Sequence, residues 1–187
     1  MSVDVVFETH SWSVDNERGV VTGWFDGELS EKGRRLAAEL GERRRDDGIG
    51  TVFTSDLHRA VETAAIAFAG TSIPIIREWR LRECNYGALN GDATRAQMDA
   101  EGPRSVDERH PDGESWREAI ARVTGFLEAL ALTHDGQRVL IIGHMSAWHA
   151  LEHVVNGLPC EDVWEADFCW REGWSYRLSL PRSRSTQ

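Results

Sequence analysis

Two histidines stand at the ends of short apolar segments that lie far apart in the chain. One segment runs from Val3 to His10, and the other runs from Arg138 to His144. β-Branched and apolar runs of this length predict buried strands. Ligands of open parallel α/β sheets bind at the carboxyl ends of the strands. We therefore predict that the two imidazoles lie at one rim of a sheet and share an active site, where a neutral imidazole can act as a nucleophile.

An arginine is predicted close to a helix N-terminus. Residues Thr51 to Ser55 are typical of a second strand, and a helix capped by Ser55 or Asp56 is predicted to follow it. Arg59 then lies in the first turn of this helix, where backbone N–H groups without an intrahelical partner favour an anion. The sequence therefore predicts that Arg59 contributes to an anion-binding site.

The elements that must position these side chains alternate between strand and helix. The predicted strands cover 3–10, 51–55, 73–76, 138–143, 163–170 and 174–180, and the predicted helices begin after Ser30, Asp56 and Ser115 or cover 93–100, 105–109 and 146–156. Pro74 favours an edge position for the third strand. The alternation predicts a three-layer α/β/α sandwich with a mostly parallel sheet and an antiparallel edge. We expect one domain over residues 1–187, with a polar tail at about 182–187.

Composition excludes several classes of partner. The net charge is −10, which argues against a nucleic-acid partner. No apolar run is long enough to span a membrane, and the N-terminus does not resemble a secretory signal, so a cytoplasmic location is predicted. The cysteines are Cys84, Cys160 and Cys169, an odd number without CxxC spacing, which argues against a disulfide framework or a zinc ribbon.

Several short motifs occur in an order that points to a known family. They are Thr9-His10-Ser11 with Asn16, Asp26 with Leu29–Gly33, Ser55–Ala60 with Glu62–Ala64, Leu81–Glu83 with Gly87, Gly113–Ser115, and Gly143-His144. Each motif alone is weak, but together they cover about residues 3–180. The chain therefore resembles the histidine phosphatase superfamily, whose members are phosphoglycerate mutase-like. The resemblance implies the phosphoglycerate mutase-like fold and phosphoryl-transfer chemistry without a cofactor or a metal.

The resemblance also implies a role for each matching residue. His10 would attack phosphorus and form a phosphohistidine, and His144 would stabilise the phosphate from the opposite side. Arg59 would bind two phosphate oxygens through its fork-shaped guanidinium group. Glu83 would protonate the leaving oxygen and then accept a proton from the attacking water. Asn16 would be a neutral phosphate donor.

The first motif departs from the family pattern. Thr9 replaces the family's first phosphate-binding arginine, and Ser11 replaces a glycine, so both belong to the predicted substrate-binding segment. Loss of one such charged donor is expected to cost about 10²–10³-fold in rate. Trp12 stands where the family often carries Glu. Arg18 and Arg82 are candidates to supply the missing positive charge.

These observations favour a metal-independent phosphatase-type hydrolase that acts on a small phosphorylated metabolite. A mutase is less favoured because family mutases carry extra segments over the site. The alternative is a catalytically altered family member, either a binding protein or a fold re-used for phosphate-free acid/base chemistry by His10 and Glu83. The predicted partner is a small phosphate ester, and a homodimer is left open.

One competing motif lies on the helix after His144. His149 to His153 fits the H-x-x-E-H pattern, in which two histidines four residues apart can ligate zinc. The family has an ordinary covering helix at this place, and few residues remain downstream to supply a third ligand. The pattern therefore favours a partly exposed helical face over a zinc site.

Overall fold

The computed structural model describes residues 2–91 and 93–179, without the side chains of residues 99 and 101. The predicted polar tail at 182–187 and the last residue of the predicted strand 174–180 lie outside the described residues. The strands are β1 (Ser2–Thr9), β2 (Thr51–Thr54), β3 (Ile75–Arg77), β4 (Arg138–Gly143) and β5 (Trp174–Ser179). The helices are α1 (Val14–Arg18), α2 (Glu31–Arg44), α3 (His58–Ala67), α4 (Arg95–Glu101), α5 (Trp116–Thr133), α6 (Met145–Asn156) and α7 (Cys160–Glu165).

The five strands form one sheet in the order β3-β2-β4-β1-β5. Strands β1 to β4 run parallel to their neighbours, whereas β5 pairs with β1 in the antiparallel direction. β3 lies at an edge, as Pro74 indicates, because proline cannot donate a hydrogen bond to a further strand. The predicted α/β fold with an antiparallel edge is confirmed.

Helices cover both faces of this sheet because its strands alternate between two cores. Val3, Val5 and Phe7 of β1 pack into a large core with α5, α6 and α7. Val6 faces the other way, into a smaller core that also contains Leu40 of α2 and apolar residues of α3. The result is the predicted three-layer arrangement. Within the described residues, no helix is both long enough and apolar enough to cross a bilayer.

Three local predictions are wrong. The predicted strand 163–170 is instead the end of α7 followed by irregular chain, so no hairpin precedes β5. The helix forms because Pro159 ends an extended segment just before it, and Glu161 and Asp162 in the first turn suit its positive end. Residues 105–109 form turns and not a helix. The N-cap of α3 is Leu57, without a side-chain hydrogen bond, and not Ser55 or Asp56.

The register of the two central strands aligns the predicted catalytic histidines. Thr9 of β1 pairs with Gly143 of β4, and the His10 N–H donates to the Gly143 carbonyl at 2.9 Å. His10 and His144 therefore both come one residue after the last pair of this ladder. His144 is also the N-cap residue of α6. The sheet thus places both histidines at the rim where parallel α/β sheets bind ligands.

Candidate active site

The two strand-end imidazoles face each other across a short gap. The ring centroids of His10 and His144 lie 5.0 Å apart, with an interplanar angle of 51°. His10 lines a cavity of about 200 Å³ together with Asn16, Arg59 and Glu83. The sheet rim therefore brings together five of the side chains that the motifs single out.

The contacts of His10 define its tautomer. Nδ1 lies 2.7 Å from the Ser11 carbonyl oxygen, which can only accept, so Nδ1 carries the proton. Nε2 accepts from the Arg59 Nε–H at 3.3 Å and therefore carries the free lone pair. Exclusion of water from the ring and the positive charge of Arg59 lower the pKa of His10 to about 3. A neutral imidazole with its Nε2 lone pair towards the arginine is the form that a nucleophile needs.

His144 is held in the opposite way. Its Nδ1 lies 3.4 Å from Nη2 of Arg59, which can only donate, so this nitrogen accepts. Its Nε2 then donates to the hydroxyl of Ser55 at 2.7 Å. Burial and the nearby Arg59 hold the pKa of His144 well below its usual value. A phosphate dianion in the cavity would favour the protonated ring, which could then donate to the anion.

Arg59 connects the two histidines and is itself fixed by main-chain groups. Its Nη1 and Nη2 donate to the carbonyl oxygens of Phe25 and Gly23 at 3.0 and 2.8 Å. Its remaining hydrogen bonds go to His10 and His144. The guanidinium group is almost fully buried, which lowers its pKa, while the carboxylate of Glu83 opposes this change. The result is a cation in one fixed orientation beside the Nε2 lone pair of His10.

The loop that carries the Gly23 carbonyl depends on a glycine. Gly23 has a φ of +56°, and a Cβ atom at this position would collide with the side chain of Asn90. The Asn90 Oδ1 accepts from the Trp24 N–H at 3.2 Å and thereby fixes this turn. The Trp24 indole donates to the Glu83 carbonyl oxygen at 2.6 Å. One loop therefore orients both Arg59 and the segment that carries Glu83.

The Glu83 side chain caps the helix that begins beside His144. Its carboxylate accepts from the N–H groups of Met145 and Ser146 at 3.2 Å each and from Cys84 at 2.9 Å. These donors belong to the positive end of α6 and to its own segment. Glu83 is nearly buried, yet it lines the cavity. The carboxylate is thus held in place at the wall where a leaving oxygen would need a proton.

A largely buried ion pair supports the segment behind Glu83. Arg122 makes two hydrogen bonds to the carboxylate of Glu114, at 2.9 and 2.7 Å. It also donates to the main-chain carbonyls of Arg80, Arg82 and Glu83. This group explains the Gly113–Ser115 motif, because its glutamate anchors the arginine that holds the Glu83 segment.

The remaining predicted residues take different positions. Asn16 lines the cavity, and its Oδ1 accepts from the Ser13 N–H at 3.0 Å, which leaves its amide N–H groups for a ligand. Ser11 turns its hydroxyl to the Gly33 carbonyl at 2.6 Å. Of the described residues that line the cavity, neither Thr9 nor Ser11 is one. Ser11 therefore acts on the site through its carbonyl, and the substrate-binding roles of these residues stay predictions.

Neither Arg18 nor Arg82 supplies the positive charge that the family's arginine would provide at position 9. Arg82 forms a bidentate pair with Asp56, at 2.7 and 2.6 Å, and stacks over Trp24. Arg18 ends α1 and does not line the cavity within the described part of the chain.

Arg95, at the start of α4, does line the cavity. No sequence pattern indicates Arg95, because it is exposed on a short helix that only the fold brings to the site. The motifs include Ser55, but its contact with His144 joins positions 89 residues apart, which local patterns cannot predict.

The competing H-x-x-E-H motif has separate contacts. His149 is buried between Trp116 and Trp148, at ring-centroid distances of 4.9 and 5.3 Å. His153 Nδ1 lies 2.7 Å from the Leu158 carbonyl. No group of three or more His, Cys, Asp or Glu residues in the described ranges is arranged to hold a metal ion. His149 is thus part of an aromatic cluster and not of an exposed helical face.

Comparison with protein families defines the class of this protein. Residues 8–175 match the family described as the histidine phosphatase superfamily (branch 1). The chain therefore belongs to this family, as its motifs indicate. Members of a family of phosphatases and mutases are phosphoryl-transfer enzymes. The arrangement of His10, Arg59 and Glu83 around one cavity, with His144 directly behind His10 and Arg59, agrees with that chemistry.

Relatives of both kinds are similar to the chain. A 2,3-bisphosphoglycerate-dependent phosphoglycerate mutase from Methylobacterium radiotolerans is 38% identical over 168 residues, covering 82% of this chain and 79% of the mutase. The solved structure of Bacillus stearothermophilus YhfR has a TM-score of 0.83 at 25% identity and covers 96% of this chain and 92% of its own. Mycobacterial glucosyl-3-phosphoglycerate phosphatase, in a complex with VO3, has a TM-score of 0.77 at 26% identity, covering 86% and 85%.

Proposed function

We propose that this protein is a metal-independent phosphatase that removes phosphate from a small ester through a phosphohistidine on His10. The proposal rests on the tautomer of the His10 imidazole and on the groups that surround it. Its Nδ1–H is fixed by the Ser11 carbonyl, and its Nε2 lone pair lies towards a buried cation at the wall of a cavity. Such a site can hold a phosphate group without a metal, since charge and donors come from side chains.

The proposed reaction has two steps. In the first, Nε2 of His10 attacks phosphorus, the N–P bond forms as the bond to the ester oxygen breaks, and protonated Glu83 gives its proton to the leaving alcohol. In the second, a water molecule gives a proton to the Glu83 carboxylate and attacks phosphorus. The N–P bond then breaks, and inorganic phosphate leaves. Arg59 and His144 stabilise the charge on the phosphoryl oxygens in both steps.

Two comparisons support hydrolysis over a mutase reaction. The alignment with the Pasteurella multocida phosphoglycerate mutase runs over 216 positions, which exceeds the 187 residues of this chain, so that mutase carries segments that this chain lacks. A mutase must retain its intermediate and exclude water, for which covering segments are suited. The fold is also close to a phosphatase that has been captured with VO3.

A second candidate is a family member that binds a phosphate ester without turning it over. Thr9 favours it, because the first motif lacks the arginine that the family uses for phosphate. This candidate keeps the cavity and the Arg59 contacts but predicts binding without release of phosphate.

Hydrolysis of a panel of phosphate esters, in the presence of a metal chelator, tests the proposal. Wild-type protein should release phosphate, and His10→Ala should lose at least about 10⁴-fold in kcat, on the scale of removing a catalytic nucleophile. His58→Ala is the matched control, because that imidazole is half exposed on α3. Equal background rates in wild type and His10→Ala would reject the phosphatase, and binding of esters without turnover would favour the second candidate.

A further inference from the structure

A second cavity opens beside the cavity that His10 lines, which is called the reaction cavity below. Its volume is about 570 Å³, against about 200 Å³ for the first, and small-molecule sites commonly enclose about 300–1,000 Å³. Glu83, Tyr86 and Arg95 line both cavities. A molecule whose phosphate lies beside His10 can therefore extend past Glu83 into the larger space.

The walls of the second cavity are mostly aromatic or apolar. They include Met98, Trp116, Met145, Trp164 and Phe168. Phe168 also packs edge-on against Trp148 at 5.3 Å, which continues the aromatic cluster into the core. Rigid aromatic walls of this kind favour a flat ring, which can stack on a face or meet a ring edge.

Two buried imidazoles in this cavity have unused polar atoms. His110 and His149 are only 2% and 4% exposed, and both line the cavity. Neither nitrogen of His110, and not Nδ1 of His149, has a hydrogen-bond partner among the described residues. These nitrogens have almost no accessible surface of their own. A buried polar atom without a partner carries a free-energy cost, which a ligand with a matching donor or acceptor would remove once the ring rotates towards it.

The charge of the second cavity favours a neutral ligand. Burial lowers the pKa of His110 and lowers that of His149 to about 4, so both rings are neutral near pH 7. Burial also keeps Tyr86 uncharged, because its pKa lies well above the usual value. Arg95, at the junction, is the one cation among the described lining residues. A leaving group with its own carboxylate or phosphate would find little positive charge deeper in the cavity.

We propose that the second cavity binds the alcohol part of the substrate, and that this part is an uncharged planar ring with a polar edge that hydrogen-bonds to His110 or His149. The proposal rests on the proposed function, because it takes the phosphate of the same ester to lie beside His10. The substrate class is then a phosphate monoester of an aromatic or heteroaromatic alcohol.

The test compares two esters of primary alcohols, so that the leaving groups have similar chemistry. Wild-type kcat/KM for naphthylmethyl phosphate should exceed that for ethyl phosphate by about 100-fold, from the apolar area that the ring buries. Phe168→Ala should lower the naphthylmethyl value by about tenfold and the ethyl value by less than about twofold. Tryptophan fluorescence measures binding of naphthylmethanol itself, which requires no turnover.

A second comparison tests the polar edge of the ring. Quinolinylmethanol isomers have the shape of naphthylmethanol with one ring nitrogen, and at least one isomer should bind severalfold more tightly. His110→Phe or His149→Phe should abolish that difference, while both variants still bind naphthylmethanol. If no isomer binds more tightly than naphthylmethanol, the hydrogen bond to these histidines is overturned.

The outcomes separate the two proposals. Equal kcat/KM for the two esters, with no binding of naphthylmethanol, would overturn the leaving-group cavity and leave the phosphatase standing. Hydrolysis of neither ester would overturn the phosphatase and, with it, the leaving-group role, even if naphthylmethanol binds. A large preference for the naphthylmethyl ester that Phe168→Ala removes would support both proposals.

Discussion

A pair of histidines lies beside each of the two neighbouring cavities, and the two pairs differ in the hydrogen bonds that their surroundings provide. In the reaction cavity, both nitrogens of His10 and of His144 have partners, which fixes the tautomer of each ring. In the second cavity, called the aromatic cavity below, both nitrogens of His110 and Nδ1 of His149 have no hydrogen-bond partner among the described residues. Defined tautomers serve bond making, whereas unused nitrogens are open to a ligand.

The difference comes from the elements that carry the rings. His10 and His144 follow adjacent parallel strands, where carbonyl groups are within reach, as is the arginine of α3, the helix after the neighbouring strand β2. His149 lies in the middle of α6, whose own backbone groups are already paired, so its ring meets side chains alone. Strand ends therefore supply polar partners that a helix interior does not.

Removal of Arg122 should damage the wall between the cavities most. Arg122→Met leaves the largely buried Glu114 carboxylate without its partner, which is expected to cost up to about 3–5 kcal/mol in the free energy of unfolding. Denaturant unfolding measures this loss. Arg35→Met is the control, because Arg35 pairs with Glu31 on the surface, and its loss should cost about 0–1 kcal/mol. Equal effects of the two variants would show that the buried pair does not support the Glu83 segment.

Replacement of the Arg59 guanidinium group should free the His10 and His144 rings in the reaction cavity and leave the aromatic cavity unchanged. Arg59→Lys keeps a positive charge but cannot make the fork-shaped contacts to two carbonyls and two imidazoles. We expect kcat/KM for a phosphate ester to fall about 10²–10³-fold. Arg35→Lys is the matched surface control. A loss in kcat/KM of less than about tenfold, well below the usual effect of removing such a donor, would contradict the role of Arg59 in stabilising the phosphoryl group.

The sequence predicts the reaction cavity far better than the aromatic one. Alternating apolar segments indicate the strands, so the shared rim of His10 and His144 follows from local patterns and one rule about parallel sheets. Of the partners of those rings, the Ser11 carbonyl belongs to the next residue, whereas Ser55 is 89 residues from His144 and depends on a tertiary contact. Arg95 and His110 reach their cavities from the stretch between β3 and α5, where the predicted short helix does not show which side chains face a cavity. The strand predicted over 163–170 failed because its aromatic residues suit a strand and a cavity wall equally well.

Acid should destabilise the protein through its buried neutral histidines. The folded-state pKa of His149 is about 4 against an ordinary value of 6.5, so between these pH values the unfolded chain binds the extra proton. This stabilisation is complete above about pH 6.5 and is lost as the pH falls towards 4, at about 1.4 kcal/mol per pH unit for each such ring. His149→Phe should flatten the slope of unfolding free energy against pH by that amount.

The control for the pH experiment is an exposed ring. His58→Phe makes the same change at a side chain that is 53% exposed. If the two variants flatten the slope equally, burial of His149 is not the source of the acid sensitivity.

Restoring the family's first arginine should have the smallest effect. Thr9→Arg places a cation beside His10, and tighter binding of phosphate or vanadate, by about tenfold, is expected from one added charged hydrogen bond. Calorimetry measures the dissociation constant. Thr133→Arg adds the same charge at the exposed end of α5 and should have no effect. Unchanged affinity in Thr9→Arg would contradict the prediction that position 9 belongs to the substrate-binding segment.

The central claim is that His10 carries the phosphoryl group during turnover. Wild-type protein should be mixed with a hydrolysable phosphate ester, quenched in base within the first turnovers, and analysed by mass spectrometry of its peptides. We expect a phosphoryl group on His10 that is lost in acid, as a bond between nitrogen and phosphorus requires. Sustained hydrolysis with no adduct on His10, or with the phosphoryl group on another residue, would contradict a mechanism through phosphohistidine at His10.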